Sequence, residues 1–184
     1  MEFALLFLPL LASITSGFFG KYIGDRNSEI ITSLFVSISA LLSLIIFYQV
    51  IVNNYENNIV IATWINSGTL DVNWSIKVDT LSSVMLVVIT LVSSLVHIYS
   101  IGYMSHDPHK PRFMAYLSLF TFAMLTLVTS DNFLQLFFGW EGVGLCSYFL
   151  IGFWFKKDSA NAAAIKAFVV NRVGDFGFAL GIFL

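Results

Sequence analysis

Long apolar runs limit what this chain can fold into more than any other feature of its sequence. Five of them have about 17 or more mostly apolar residues, enough to cross a hydrocarbon core roughly 30 Å thick. They occupy residues 3–19, 30–52, 80–103, 113–129 and 132–155. A sixth run begins near Ser159 and continues to Leu184 without a charged or polar end, so we expect it to be cut in mid-span.

These runs predict an all-α polytopic membrane protein, built as a transmembrane helix bundle in a single membrane domain over residues 1–184. Composition agrees, because hydrophobic residues make up 58% of the chain and charged residues 11%, against roughly 45–50% and about 25% in soluble domains. A net charge of −2 without a basic stripe argues against nucleic-acid binding. Residues 3–19 follow no basic segment and precede no small-residue cleavage site, so we interpret them as a retained first span.

The segment between the second and third runs has a different character. Residues 58–79 place β-branched and aromatic side chains on either side of residues 66–68, Asn-Ser-Gly, a composition typical of a turn. We predict a small extramembrane β-hairpin here. The alternative is an irregular loop whose Trp64 and Trp74 rest at the membrane interface.

Lysine and arginine are unevenly divided between the two sides of this topology. Lys77 alone lies on the side of the N-terminus and the hairpin. The loops on the other side carry Lys21, Arg26, Lys110, Arg112, Lys156 and Lys157. The positive-inside rule makes that second side cytoplasmic or matrix, so the N-terminus and the hairpin are expected to face the periplasm or the intermembrane space.

The candidate chemistry lies inside the predicted membrane region, because we find no phosphate-binding glycine loop, nucleotide fingerprint or nucleophile–base set. An ionisable side chain at the bilayer centre costs at least about 2.5–3.5 kcal/mol and normally marks an ion pathway or a buried pair. Glu141 lies roughly 14 Å into the fifth run. Desolvation favours its neutral form and a nearby cation favours its carboxylate, so we predict that Glu141 loads and releases a proton. The alternative is a hydrogen bond that only assembles two helices.

The sixth run also carries charge. Arg172 and Asp175 are spaced i and i+3 on one helical face, where they can neutralise one another. This pair either takes part in proton movement or fixes the register of the helix in the bundle. Lys166 lies nearer the cytoplasmic end and either contributes to the same pathway or extends its ammonium group to the interface.

Histidines and one further aspartate allow two interpretations each. His97, in the third run, can exchange a proton near neutral pH or simply link two helices by hydrogen bonds. His106 and His109 fit a solvated turn better than a metal site, and Asp131 is expected to cap the fifth helix. The predicted proton-translocation residues are therefore Glu141, Asp175, Arg172, Lys166 and His97, and we predict neither a metal site nor a cofactor-binding residue in this chain. The lone cysteine, Cys146, supplies no disulfide.

Three stretches of the sequence resemble a known family in order and spacing. They are LVHIYSIGYM at 95–104, FFGWEGVGLCSYFLIGFW at 137–154 and KAFVVNRVGDFGFALG at 166–181. All three are similar to the N-terminal part of the antiporter-like subunit called 5 in mitochondrial and L in bacterial respiratory complex I. The resemblance extends over essentially the whole chain, including the hairpin before the third run.

This resemblance implies inverted repeats of five helices, each with a broken helix and a proton half-channel at its centre. It implies a proton-translocating membrane-arm subunit of NADH:quinone oxidoreductase, which couples electron transfer from NADH to quinone to proton pumping. FMN and iron–sulfur clusters are then expected in partner subunits, with no redox centre in this chain. Glu141 matches a family glutamate whose lysine partner lies in the seventh span, beyond Leu184, and Lys166, Arg172 and Asp175 match family charges.

The same resemblance sets the expected partners and location. Partners are the other membrane-arm subunits, the lipid bilayer and protons, in a multi-pass protein of a bacterial or mitochondrial inner membrane. The alternative function is that of the large subunit of a Mrp-type cation/proton antiporter, and the unbroken GWEGVGLCSY at 139–148 favours complex I. A third possibility is a scaffold without transport activity.

Overall fold

The computed structural model describes residues 1–68 and 70–183, which form a helical bundle with one hairpin. The elements are α1 (Glu2–Ile23), α2 (Asp25–Asn53), β1 (Asn57–Ser67), β2 (Leu70–Val78), α3 (Thr80–Tyr103), α4 (Lys110–Val128), α5 (Phe133–Ile151) and α6 (Asp158–Phe183). Five helices, α1 to α5, are long and apolar enough to cross a membrane. The five predicted spans are therefore confirmed as helices. The sixth run also forms a helix, α6, and its crossing of the membrane stays a prediction.

The predicted fifth span, residues 132–155, is wrong at its C-terminal end. Helix α5 ends at Ile151, and the N–H of Gly152 makes the last helical hydrogen bond, to the carbonyl of Tyr148 at 2.9 Å. The carbonyl of Phe153 instead accepts a hydrogen bond from Nη2 of Arg112 at 3.2 Å. Because carbonyl groups at a helix end lack helical partners, this side-chain donor stabilises the reversal of the chain into α6.

Helix α4 lies at the centre of the bundle, since it packs against α1, α2, α3 and α5, whereas α6 packs against α5 at one edge. Lipid gives helices no hydrophobic reason to associate, so small and hydroxyl-bearing side chains at their contacts decide the packing. Ser43 of α2 and Thr90 of α3 are both fully buried, and their hydroxyl oxygens are 2.7 Å apart. Large apolar side chains such as Phe18 and Val173 lie on outward faces, as a lipid solvent requires.

Helix α3 begins with a reciprocal cap. The side chain of Asp79 accepts a hydrogen bond from the N–H of Ser82 at 2.8 Å, and Oγ of Ser82 accepts one from the N–H of Asp79 at 2.7 Å. The bond from the Ser82 N–H holds the pKa of Asp79 below its usual range, although partial burial opposes this shift. The cap therefore contributes more when the carboxyl is ionised.

The predicted β-hairpin is confirmed, so the irregular-loop alternative is wrong. Strands β1 and β2 pair in antiparallel fashion, with irregularities of register between Val60 and Ala62 and between Thr63 and Ile65. The turn lies further along the chain than predicted, because Ser67 already pairs in the ladder with Leu70.

The turn of the hairpin begins at Gly68. Its φ of 62° suits a glycine, since other residues rarely adopt this conformation. The last position between the strands, Thr69, lies outside the described residues.

The hairpin is fastened to the start of α5. Gln135 is fully buried, and its side-chain amide pairs with the backbone of Ser75, accepting from the N–H at 3.0 Å and donating to the carbonyl at 2.6 Å. The rings of Trp64 and Trp74 pack edge-on against Phe138, with centroids 6.0 and 4.9 Å away. The hairpin thereby stays packed against the membrane bundle.

The expectation that Asp131 caps α5 is wrong. Asn132 takes that position, and its side chain accepts a hydrogen bond from the N–H of Gln135 at 2.8 Å. Asp131 instead forms an ion pair with Lys77 at 3.5 Å and accepts a hydrogen bond from Nδ2 of Asn58 at 2.7 Å. Both partners belong to the hairpin, so Asp131 joins the hairpin to the α4–α5 loop.

Candidate functional site

Glu141 on α5 faces Arg172 on α6. Nη1 of Arg172 lies within hydrogen-bond distance of both carboxylate oxygens of Glu141, so one guanidinium nitrogen bridges the two oxygens. The side chain of Glu141 is 24% exposed and that of Arg172 is 49% exposed. This pair joins α5 to α6 in the predicted membrane region.

Arg172 also approaches a second carboxylate. Its Nη1 is 3.8 Å from Oδ2 of Asp175, whose side chain is 8% exposed. The other oxygen of Asp175 accepts a hydrogen bond from Nε1 of Trp140 at 2.8 Å. The predicted i, i+3 pair therefore forms, but it is one part of a larger group that we call the charge cluster: Glu141, Arg172, Asp175 and Trp140.

The composition of the charge cluster decides what it can do. An arginine guanidinium stays protonated in proteins, whereas carboxyl groups exchange protons. Two carboxylates and one guanidinium leave one negative charge in excess if both acids are ionised. An uncompensated charge in a membrane is expensive, so a fully ionised cluster calls for a further positive charge to balance it.

The guanidinium of Arg172 also packs on an aromatic ring. Its central carbon is 4.7 Å from the ring centroid of Phe168, one turn earlier on α6, and cation–π attraction supports that position. Nη1 lies at unequal distances from the two carboxylates, closer to Glu141 than to Asp175. Glu141 and Asp175 are therefore two acidic partners within reach of the same guanidinium nitrogen.

A close helix contact lies just before Glu141. A Cβ atom added to Gly139 would lie 2.7 Å from both Cα and N of Leu127 on α4, and one added to Gly142 would lie 3.2 Å from Cβ of Ala123. The glycines of α5 thus let the two backbones approach. Gly144 differs, because a Cβ there meets no described atom within 4 Å.

His97 lies apart from the charge cluster, between α3 and α4. It is fully buried, with Nδ1 2.7 Å from the carbonyl oxygen of Ser93 and Nε2 3.0 Å from Oγ of Ser118. A carbonyl oxygen only accepts, so Nδ1 carries the hydrogen, and Nε2 of a neutral ring accepts from the Ser118 hydroxyl. Both ring nitrogens are satisfied without a charge, an arrangement that favours the helix-linking interpretation.

Lys166 is exposed on α6, and within residues 1–68 and 70–183 no carboxylate lies within 4 Å of its amino group. The structure therefore does not bring Lys166 into the charge cluster. The structure separates the five predicted residues into the trio on α5 and α6, the isolated His97 and the exposed Lys166. Their roles in proton movement stay predictions.

Sequence reasoning missed the buried acid Glu29. This residue is 5% exposed, its Oε1 lies 3.9 Å from Nζ of Lys110, and this oxygen has no hydrogen-bond partner. The predicted second span begins at residue 30 and does not include Glu29. Helix α2 in fact begins at Asp25, and the acidic residue there, favourable at a helix N-terminus, could have placed Glu29 inside the helix.

The histidine pair of the α3–α4 loop forms a turn, with Oδ1 of Asp107 accepting from the N–H of His109 at 2.8 Å. Within the described residues, no group of three or more His, Cys, Asp or Glu side chains is placed to hold a metal ion. Fold and site together define a multi-pass helical membrane protein with a carboxylate–guanidinium–carboxylate cluster between neighbouring helices.

Comparison with known proteins identifies the family. Residues 64–114 match the family described as NADH-ubiquinone oxidoreductase (complex I), chain 5 N-terminus, and residues 130–184 match NADH:quinone oxidoreductase/Mrp antiporter, TM. The chain is 58% identical over 183 residues to NADH-ubiquinone oxidoreductase chain 5 of Triticum aestivum, covering 100% of this chain and 27% of that protein. It is 54% identical over 178 residues to NADH-quinone oxidoreductase subunit L of Rickettsia bellii, covering 97% of this chain and 28% of that protein. The chain belongs to the chain 5/subunit L family of NADH:quinone oxidoreductase.

A solved structure supports the fold. A chain of the membrane-bound sulfane sulfur reductase, an archaeal respiratory membrane complex, superposes with a TM-score of 0.78 at 19% identity, covering 98% of this chain and 36% of that one. At that identity the likeness concerns the fold alone. The chain spans 27% of the length of the wheat relative, so the activity of a whole subunit is treated below as a proposal.

Proposed function

We propose that this chain contributes to proton translocation as part of a membrane-arm subunit of NADH:quinone oxidoreductase. In this role the complex couples electron transfer from NADH to quinone to proton pumping. The names of the relatives support the assignment, since they are chain 5 and subunit L proteins that align with essentially the whole chain. The charge cluster supplies groups of the right chemistry for the proton-carrying step.

The position of Arg172 between two carboxylates is the single observation that carries this proposal. While the guanidinium lies beside Glu141, it stabilises the carboxylate and so opposes its protonation. When the guanidinium shifts towards Asp175, Glu141 loses its partner in a poorly hydrated environment and takes up a proton. The return of Arg172 expels that proton. Any event elsewhere that biases the arginine between these positions then controls proton loading.

Asp175 provides the second position for the arginine, and Trp140 orients its carboxylate. The indole N–H of Trp140 fixes one oxygen of Asp175, so the other oxygen stays available to the arginine. Arg172 is thus the partner that this chain itself provides for Glu141. The family resemblance adds a lysine in the seventh span, which would act on the same carboxylate from residues beyond Leu184.

The environment of the subunit follows from the same assignment. FMN, iron–sulfur clusters and the quinone site belong to partner subunits, and the neighbours are other membrane-arm subunits and the lipid bilayer. The location is a bacterial or mitochondrial inner membrane, with the N-terminus and the hairpin on the periplasmic or intermembrane side. The distribution of lysine and arginine supports this orientation.

The description of the family matched by residues 130–184 also names Mrp antiporters, so cation/proton antiport is the second candidate. The complex I assignment is preferred because residues 64–114 match a family described for complex I chain 5 alone. NADH-dependent proton uptake distinguishes the two, since a stand-alone antiporter needs no NADH.

The test uses vesicles that contain the assembled complex with the full-length subunit, energised with NADH. Glu141→Gln keeps the shape and a hydrogen-bond acceptor but removes the charge and the exchangeable proton. We expect assembly to survive, proton uptake per assembled complex to fall sharply, and Glu141→Asp to retain part of it. The matched control is Glu56→Gln, which removes the same charge from an exposed position between α2 and β1. Full uptake by Glu141→Gln would contradict the proposal.

A further inference from the structure

A cavity of about 250 Å³ lies between the α3–α4 loop and the α5–α6 loop, at the end of the bundle away from the hairpin. Its lining brings together cations and aromatic rings, namely Arg112, Lys156, Lys157, Phe153, Trp154 and Phe155. Helix α3 ends and α4 begins beside it, as do α5 and α6. The predicted topology therefore places the cavity at the level of the membrane–water interface.

Arg112 has unused hydrogen-bonding capacity at this cavity. Its Nη2 donates to the carbonyl of Phe153 at 3.2 Å, and its guanidinium stacks on the rings of Phe153 and Phe155 at 4.6 and 5.3 Å. Its Nε is buried and has no hydrogen-bond partner. An arginine presents five N–H donors in a fork that matches carboxylate and phosphate oxygens, and most of these donors are free here.

Among the described residues, the cations that line this cavity outnumber its carboxylates. Within the described residues, no carboxylate forms an ion pair within 4 Å of Arg112, Lys156 or Lys157. Asp107 also lines the cavity, but its two oxygens already accept from the indole of Trp154 at 3.0 Å and from the N–H of His109 at 2.8 Å. Three cations face one carboxylate whose oxygens are already engaged.

We propose that this cavity binds the phosphate headgroup of an anionic phospholipid. Basic pockets between transmembrane helices on the cytoplasmic or matrix side suit such headgroups. The fork of Arg112 would hold phosphate oxygens, and Lys156 and Lys157 would add their charges from the rim. Trp154 and Phe155 are 40% and 53% exposed, and rings at this depth pack against the glycerol and the first acyl carbons.

The test is lipid binding by the purified complex that contains the full-length subunit, after partial delipidation. Bound lipid is counted by native mass spectrometry during titration with phosphatidylglycerol or phosphatidylcholine. We expect selective binding of phosphatidylglycerol, with affinity about fivefold lower in Lys156→Gln and in Lys157→Gln. The matched control is Arg26→Gln, which removes one exposed positive charge on the same side but outside the cavity lining.

Four results would overturn the proposal. The first is equal binding of the two lipids, and the second is an equal loss of affinity in Arg26→Gln. The third is binding of inorganic phosphate with the affinity of the lipid, which would assign the cavity to a free anion. The fourth is an acidic polypeptide segment crosslinked to Lys156 or Lys157, which would make that segment the occupant of the cavity instead of the lipid. None of these readouts depends on proton pumping.

Discussion

Replacing Gly139 with alanine tests the contact that positions Glu141. The added Cβ would lie 2.7 Å from Cα and N of Leu127, both backbone atoms that no rotamer change can move away. Ordinary carbon contacts are about 3.5–4.0 Å. Helix α5 must therefore shift from α4 by about 1 Å, taking Glu141 with it.

The expected magnitude follows from two opposing effects. Overpacking of this kind costs about 1–3 kcal/mol, and the better helix propensity of alanine returns up to about 1 kcal/mol. We expect Gly139→Ala to destabilise the protein by up to about 2 kcal/mol and to reduce proton uptake, because the distance between Glu141 and Arg172 changes. The assay is thermal inactivation of the detergent-extracted complex, together with NADH-driven proton uptake.

Two other glycines on the same helix provide matched controls. Gly142→Ala places its Cβ 3.2 Å from the side chain of Ala123, which requires a smaller adjustment, and Gly144→Ala meets no described atom within 4 Å. The predicted order of damage is Gly139, then Gly142, then Gly144, with Gly144→Ala neutral or stabilising. Equal behaviour of all three variants would refute the close-contact argument.

Topology, the charge cluster and the cap of α3 give further tests. A cysteine at Ser67 should react with an impermeant maleimide only from the periplasm or intermembrane space, and labelling from the other side would reverse the orientation. Exchanging Arg172 and Asp175 should not rescue the uptake lost in Asp175→Ala, because the exchange puts a carboxylate opposite Glu141; full rescue would mean that only the pair matters. Asp79→Ala should cost about 0.5–2 kcal/mol at neutral pH. Because the folded pKa is lowered, this difference should shrink below about pH 4, and a constant difference would contradict the cap.

The fold was largely predictable because apolar length and turn composition act locally. The five spans and the hairpin follow from such signals, although several of their bounds differ from the predicted ones. Other contacts join distant residues: Nη2 of Arg112 donates to the carbonyl of Phe153, 41 positions away. Gln135 pairs with the backbone of Ser75, a residue 60 positions away. Local sequence patterns do not predict contacts between residues so far apart in the sequence.

Three members of the charge cluster, Glu141, Arg172 and Asp175, were among the predicted residues, whereas Trp140 and the contacts between the helices were not predicted. Helical spacing gave the Arg172–Asp175 pair, since i, i+3 neighbours lie on one face. The i, i+3 spacing does not predict which neighbouring helix that face contacts. The contact between Arg172 and Glu141 is therefore known only from the structure. The indole bond from Trp140 to Asp175 depends on the same helix pairing.

The proposed function requires Glu141 to gain and lose a proton during turnover. The most direct measurement is infrared difference spectroscopy of the assembled complex, comparing the resting state with NADH-driven turnover in the presence of quinone. We expect a change in the carbonyl stretch of a protonated carboxylic acid that disappears in Glu141→Gln and remains in Glu56→Gln. Identical difference spectra for the parental protein and Glu141→Gln would contradict it.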